Sequence, residues 1–355
     1  MNGIDMTVNR LPARTWNWLK VNEVRLADVR IEGACPVSLT ISGNGVRSTR
    51  LSDGDAWERI ATGMGLDMDA LLEKTTVGLL TSEAGGGEDG LAVVEYMAGA
   101  DGYLGNRLYL HAEKDSELNV VVLYRATVHP STGLAALQTK VHAESGAKVR
   151  LYMAQILPDG MTSLNDIGVD CEAGASFELI RLELGAGKAY AGCEVDLKGT
   201  GSGFQAGIGY AGRPNQKLDM NYTVRHRGKK TESLMEVTGV LANETKKLFR
   251  GTIDFLPGCG GAKGTETEDV LLLGDRVVNQ TVPLILCAEE DVEGNHGATI
   301  GRLDETTLFY LESRGIPKEE AEQMMARAKT DALCAQIPSK KVRDQIQAFL
   351  CGAGR

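Results

Sequence analysis

The residues Ala143–Leu184, AESGAKVRLYMAQILPDGMTSLNDIGVDCEAGASFELIRLEL, decide the fold. Glu144-Ser145-Gly146-Ala147-Lys148-Val149 is echoed 28 residues later by Glu172-Ala173-Gly174-Ala175-Ser176-Phe177. Each phrase is a turn running into a strand-like segment, Lys148–Leu157 and Phe177–Leu184. A period of this length belongs to the range of solenoid coils. Working outward, further strand-like runs lie at Leu91–Met97, Glu117–His129, Leu134–Ala143, Tyr190–Leu197, Leu218–His226, Ser233–Leu241 and Lys247–Phe255. Helical intervals between them are absent, which excludes a βαβ sheet and leaves a β-sandwich or a parallel β-helix. The regular spacing favours the β-helix. So does composition: 43 glycines in 355 residues and only 5% aromatics, where glycine usually runs near ~7%. The expected fold is mainly β, with roughly ten coils over residues 76–300.

The flanks read differently. Residues 1–75 are mixed: an aromatic segment Leu11–Leu19 suited to covering a core edge, then Asp53–Leu72 with Trp57, Ile60, Ala61 and Met64 at helical spacing. Gly63 and Gly65 are expected to break that segment into two short helices. Residues 301–355 are helical. Asp304 is a good N-cap, Leu303 and Leu308 are placed as a hydrophobic staple, and Gly315 fits a C′ position. Pro317 opens a second helix, and Ser339 caps a third lined by Val342, Ile346, Phe349 and Leu350. Three short amphipathic helices are expected to cap the end of the β-helix or to form a partner-docking surface.

A formal net charge of −10 argues against nucleic acid and anionic membrane as partners. The seven cysteines (35, 171, 193, 259, 287, 334, 351) contain no Cys-x-x-Cys, the pattern of a reduced cytosolic protein rather than a disulfide or structural zinc framework. Met1–Trp16 has no apolar core of a signal peptide and no run is long enough for a membrane span, so the cytoplasm is the expected location.

The chemistry concentrates in Leu284–Gly315, LILCAEEDVEGNHGATIGRLDETTLFYLESRG. Val282–Cys287 reads as a short buried strand and Glu289–Asn295 as an acidic turn. Cys287 and His296 are nine positions apart and meet only if the segments flanking the turn are neighbours. Thiolate and imidazole are ligands of iron–sulfur centres, and a nearby imidazole raises a thiol's thiolate fraction. His111, His129, His142 and His226 lie in or beside strand-like runs, where a histidine is usually a satisfied surface or core residue. Gly201–Ala206 lacks the following helix that a dinucleotide motif requires, and Gly258–Thr265 lacks the Gly-Lys-[Ser/Thr] of a phosphate loop, so no ATP site is visible. Glu266, Glu268 and Asp269, and Glu289 to Glu293, suit solvated turns. The alternative is the paired acids of a β-helix polysaccharide lyase or hydrolase, for which the chain is poor in stacking aromatics.

The same stretch carries a family resemblance. NHGATIGRLDETTLFYLESRGI, with RGTIDF at Arg250–Phe255 and VPLILC at Val282–Cys287, resembles the SufB/SufD family of iron–sulfur cluster assembly scaffolds, on its SufD-like branch. It covers roughly the last 110 residues clearly, and LPARTWNWLKVN near the N-terminus supports it. The resemblance implies a right-handed parallel β-helix. It also implies a non-catalytic scaffold subunit that pairs with a SufB-like paralogue, or with itself as a dimer, and with a SufC-like ABC ATPase. That ATPase would dock on the C-terminal helices, with Leu303, Asp304, Leu308, Phe309, Tyr310 and Arg314 as candidate contacts. His296 matches the SufD-type histidine implicated in cluster assembly at the subunit interface. Cys287 falls where SufB-type chains carry an essential cysteine. SufB-type chains also place an acid directly after their histidine, where this chain has Gly297. The chain therefore joins a SufD-type histidine to a SufB-type cysteine. A transient iron–sulfur cluster is expected at Cys287 and His296, and some Suf complexes bind reduced flavin. A purely structural adaptor is the remaining option.

Overall fold

A computed structural model describes residues 3–15, 17–31, 37–51, 55–75, 77–99, 102–128, 132–302 and 304–352. Trp16, Cys35, His129 and the staple residue Leu303 lie outside the described residues. The N-terminal region contributes β1 (Ile4–Val8), β2 (Val24–Val29), β3 (Val37–Ser42), β4 (Val46–Leu51), α1 (Asp55–Glu58) and α2 (Asp67–Leu72). Two parallel sheets follow, wound as successive coils. One contains β5 (Val77–Ser82), β7 (Tyr103–Ala112), β9 (Gly133–Ala143), β11 (Met161–Cys171), β13 (Lys188–Leu197), β15 (Lys217–His226), β17 (Lys246–Phe255) and β19 (Val278–Cys287). The other contains β6 (Leu91–Ala98), β8 (Glu117–Ala126), β10 (Lys148–Ile156), β12 (Ser176–Glu183), β14 (Gly203–Gly212), β16 (Glu232–Ala242), β18 (Ala262–Leu273) and β20 (Val292–Gly301). The odd-numbered and even-numbered sheets together form a parallel β-helix of about eight coils, two fewer than expected. At the N-terminal end β3 and β4 close the two sheets by antiparallel pairing with β6 and β5.

A column of tight turns holds the coils in register. Where the odd-numbered sheet passes to the even-numbered one, a single residue in the left-handed region turns the chain: Gly146 (φ +74°), Gly174 (φ +67°) and Gly201 (φ +70°), with Asp115 (φ +55°) and Lys230 (φ +54°) at equivalent places. Each turn is tied to the next. The Gly146 N–H donates to the Ala173 carbonyl (2.9 Å), Gly174 to Thr200 (3.0 Å) and Gly201 to Lys229 (2.9 Å). The repeated Ser-Gly-Ala and Ala-Gly-Ala phrases in the sequence are two of these turns. Inside, like side chains stack at register positions, as Leu151↔Leu179↔Ala206 and Val149↔Phe177↔Phe204, the last two rings 5.7 Å apart and stacked. Strand alternation sends every second residue into this core.

The outer faces are also covered. β1, α2 and the segment leading into α2 pack Met6, Val8, Met64, Met68 and Leu72 on Leu134, Ala136, Leu164 and Tyr190 of the odd-numbered sheet, with β2 alongside. Buried Arg250 fastens this layer, its Nε donating to the Val21 carbonyl (2.6 Å) and its Nη1 pairing with Asp219 at 2.7 Å. On the other flank lie α3 (Glu305–Ser313), α4 (Lys318–Ala335) and α5 (Lys340–Leu350). Asp304 and Ser339 cap α3 and α5 by accepting from the Thr307 and Val342 amides. Val342, Ile346 and Phe349 pack on Val121, Leu123, Ala154 and Leu182 of the even-numbered sheet. Leu333 of α4 fills the space over Gly207 and Gly209, where an added Cβ would sit 2.8 Å from its methyls. The helices therefore lie along the flank instead of capping the end, and α4 runs 18 residues. The last coil, β19 and β20, keeps an open face. Among the described residues no helix is long and apolar enough to cross a membrane.

Candidate functional site

The open coil carries both residues singled out in the sequence. β19 is longer and less buried than the expected short buried strand: it begins at Val278, most of it is half-buried, and Cys287 is exposed. The acidic turn is shorter than expected, because β20 already begins at Val292. Cys287 is in register with inward-facing Phe255, and His296 with inward-facing Glu266. Both side chains therefore take the interior parity of their strands, and both are exposed because no further coil lies on them. The Cys287 Sγ donates to the Glu289 carbonyl at 3.1 Å.

The two do not converge on one point. A Cβ on Gly294 would meet Ile285 at 3.1 Å, which fixes how β20 faces β19 across the interior. Cys287 lies two residues beyond Ile285 towards the turn, and His296 two residues beyond Gly294 away from it. That offset of four residues is about 13 Å, too far for both to bind a single iron. Cys287 has a nearer neighbour in buried Cys259, whose thiol is pushed up by burial and by the charges of Glu289 and Cys287.

Beneath His296 the interior turns polar, which sequence reasoning missed. Glu266 and Glu268, read there as members of a solvated turn, are each 3% exposed on β18 and point into the core. Glu268 is held by Lys247, by the Tyr210 hydroxyl (3.1 Å) and by the Thr281 hydroxyl (2.6 Å). Glu266 lies against Gly251 of the RGTIDF segment, where an added Cβ would be 2.0 Å from its carboxylate. Burial and the neighbouring Glu268, opposed by Lys247, push the Glu266 carboxyl up to about 7. The missed signal was alternation: Gly264, Glu266, Glu268 and Val270 share one face of a period-2 pattern. The site thus offers an exposed thiol, an exposed imidazole, and beneath the imidazole a carboxyl that exchanges its proton near neutrality. Lys247 is itself pulled down by burial, against the pull of Glu268.

The other sequence candidates fall elsewhere. Phe309 and Tyr310 of α3 are 72% and 55% exposed, and the Arg314 guanidinium sits 5.1 Å from the Tyr310 ring centre. Leu308 is half-buried, and Asp304 is occupied as the cap. His226 is buried between Thr231 (2.7 Å) and Ser233 (3.0 Å), and burial pulls it down to about 4. His111 and His142 stand together on the outer face of the odd-numbered sheet, far from the open coil.

A family model described as "SUF system FeS cluster assembly, SufBD core domain" matches residues 96–329. The iron–sulfur cluster assembly protein SufD of Bacillus subtilis is 27% identical over 251 residues, 70% of this chain and 57% of that protein. A SufBD family protein of Pyrococcus horikoshii is 26% identical over 64% of this chain and 50% of its own length. SufB of Bacillus subtilis is 23% identical over 65% of this chain and 50% of that protein. The chain spans about half the length of these curated relatives. The matched segment is the β-helix from β6 through the open coil and on into α4, and by it the chain belongs to the SufBD family of iron–sulfur cluster assembly proteins.

Proposed function

We propose that this chain is a non-catalytic scaffold subunit of a cytoplasmic Suf-type complex, on which an iron–sulfur cluster is built and released as cargo. The observation that carries this is the uncovered last coil, which presents Cys287 and His296 on the interior parity of two strands without a further neighbour. A closed four-cysteine site within one chain would hold a cluster too well for ready release. An exposed thiol and an exposed imidazole, offset by four residues or about 13 Å along the strands, instead invite completion by a second subunit. Each contributes one ligand to a site lying between two chains, a SufB-like paralogue or a second copy of this one. Glu266 beneath His296 supports proton exchange as ligands are taken up and given back.

The ATPase is a SufC-like partner that docks on α3, where Phe309, Tyr310 and Arg314 are exposed and no residue of the helix is fully buried. Flavin has weaker support. The cleft of about 830 Å³ between α4 and the even-numbered sheet is large enough for a ring system, yet the two cations that line it are already paired, Arg150 with Glu178 and Lys329 with Asp269, and Glu236 adds a further acid. That does not fit a flavin phosphate, and no step is assigned to it. The polysaccharide reading loses two of its acids, since Glu266 and Glu268 are buried.

The test is cluster assembly in the reconstituted complex. Cys287→Ser and His296→Ala should each slow assembly at least tenfold while subunit association is unchanged. Normal assembly by both variants would reduce the chain to a structural adaptor.

A further inference from the structure

On the outer face of the odd-numbered sheet, the segments His111-Ala112-Glu113 and His142-Ala143-Glu144 repeat one phrase in successive coils. His111 and His142 are register partners with ring centres 5.5 Å apart. His111 Nε2 lies 2.9 Å from Glu144 Oε1, and His142 Nε2 lies 3.6 Å from Glu172 Oε1. One donor atom each from His111, His142 and Glu144 falls within 4.8 Å of the others. We propose that His111, His142 and Glu144, with Glu172 beside them, form a binding site for a divalent first-row transition cation of the zinc or ferrous type.

Three observations carry this. First, the carboxylates are aimed. Glu144 Oε2 accepts from the Lys114 amide (3.0 Å) and Glu172 Oε2 from the Ser145 amide (3.1 Å), so the turn column holds one oxygen of each and leaves Oε1 facing an imidazole. Second, the charge is uncompensated. Further along the same column Asp170 is paired with Lys198 (2.5 Å) and Asp196 with Arg227 (2.7 Å). Among the described residues the side chains against Glu144 and Glu172 are imidazoles and the Ser145 hydroxyl, so the two carboxylates face no lysine or arginine there. A dication supplies the positive charge. Third, the donor set is selective. Two imidazole nitrogens with a carboxylate favour zinc or ferrous iron over magnesium or calcium, which prefer oxygen alone. Donors of one such site sit about 2.0–2.2 Å from the metal, so the present spacing closes by small rotations of side chains that are 27% to 34% exposed. The site spans the coils of β7, β9 and β11, about five coil spacings, or ~24 Å, from the open coil. It is independent of cluster assembly there.

Titration of the full chain with Co²⁺ under reducing conditions tests the assignment, with Zn²⁺ and anaerobic Fe²⁺ in parallel and Mg²⁺ as the control. The expected result is one equivalent bound with nitrogen and oxygen ligand-field bands and no sulfur charge-transfer band. His111→Ala/His142→Ala should lose that equivalent with circular dichroism unchanged, and Cys287→Ser should keep it. Glu144→Gln should weaken binding by about tenfold or more, the range seen when even an outer partner of a metal ligand is removed; it also serves if the double variant misfolds. Absence of this equivalent from the parent, or equal binding by parent and Glu144→Gln, would overturn the assignment.

Discussion

Gly251 and Arg250 are adjacent in the chain and do opposite things, because strand alternation sends one inward and the other outward. Gly251 makes room for the Glu266 carboxylate inside the coil. Gly251→Ala should therefore displace Glu266 and cost about 1–3 kcal/mol, as overpacking of a core usually does, measured by denaturant unfolding. Arg250 is wholly buried and pairs with Asp219, which is 1% exposed. Arg250→Ala leaves that carboxylate buried without its guanidinium, and a loss of about 3–5 kcal/mol is expected. Arg250→Lys should recover only part of it, since the link to the Val21 carbonyl depends on the guanidinium. Glu266 makes a pH-dependent prediction. Its folded-state pKa of about 7 is raised above the ordinary 4.5, so the folded chain holds this proton more tightly than the unfolded one. The preference is fully present below about 4.5 and is lost as pH rises through about 7, so ionised Glu266 is a penalty at pH 8. Glu266→Gln should then be more stable than the parent at pH 8, by on the order of 2 kcal/mol, and nearly equal at pH 5. Parallel stability–pH curves for the two proteins would remove Glu266 as a titrating group.

At the scale of elements, the strands legible in the sequence were those with apolar residues on the inner face and ordinary turns at their ends. β6, β8, β9, β10, β12, β13, β15, β16 and β17 belong to this class. The ones passed over, among them β11, β14 and β18, break the pattern for identifiable reasons. β11 carries Asp166 and Gly168 because the N-terminal layer lies on it: Asp166 accepts from the Met64 amide (2.7 Å), and a Cβ on Gly168 would strike the Ala61 carbonyl at 1.7 Å. β14 is glycine-rich because Leu333 of α4 sits on it, and β18 holds its glutamates inward. Local signal failed where a second layer or a buried polar cluster had replaced the usual residue. The same covering decides how docking should be tested. Removing residues 302–355 would bare Val121, Leu123, Ala154 and Leu182, which now lie under α5 and its approach. Truncation would therefore damage the β-helix as well as any interface. Phe309→Ala/Tyr310→Ala changes only exposed side chains of α3. Thermal stability should be unchanged within about 0.5 kcal/mol, while binding of the SufC-like ATPase weakens at least tenfold; equal binding would move the dock off α3.

For the molecule as a whole, the two ends of the β-helix are treated differently. At the N-terminal end β3 and β4 turn antiparallel and close both sheets. At the other end β19 and β20 are the last strands of their sheets, the helices pass along the flank, and Val278 and Ile300 remain 43% and 48% exposed. An uncovered strand edge presents unpaired N–H and C=O groups, and proteins that must stay alone blunt such edges with lysines, prolines or a covering element. Of these devices β19 has only Pro283 and β20 has none. On the function proposed above this open coil is the pairing surface, and the Cys287 thiol and His296 imidazole lie within what pairing would cover. Val278→Lys/Ile300→Lys should block it by placing charge where a neighbouring strand must approach. The variant should keep its circular dichroism spectrum and melting temperature. Its association with a second copy or with the SufB-like paralogue should weaken by at least tenfold, about 1.4 kcal/mol, in analytical ultracentrifugation. Cluster assembly should fall in step, because the ligands of the second chain no longer arrive. Loss of assembly with association intact would place the cluster ligands within this chain alone, and intact association with intact assembly would place the pairing surface elsewhere.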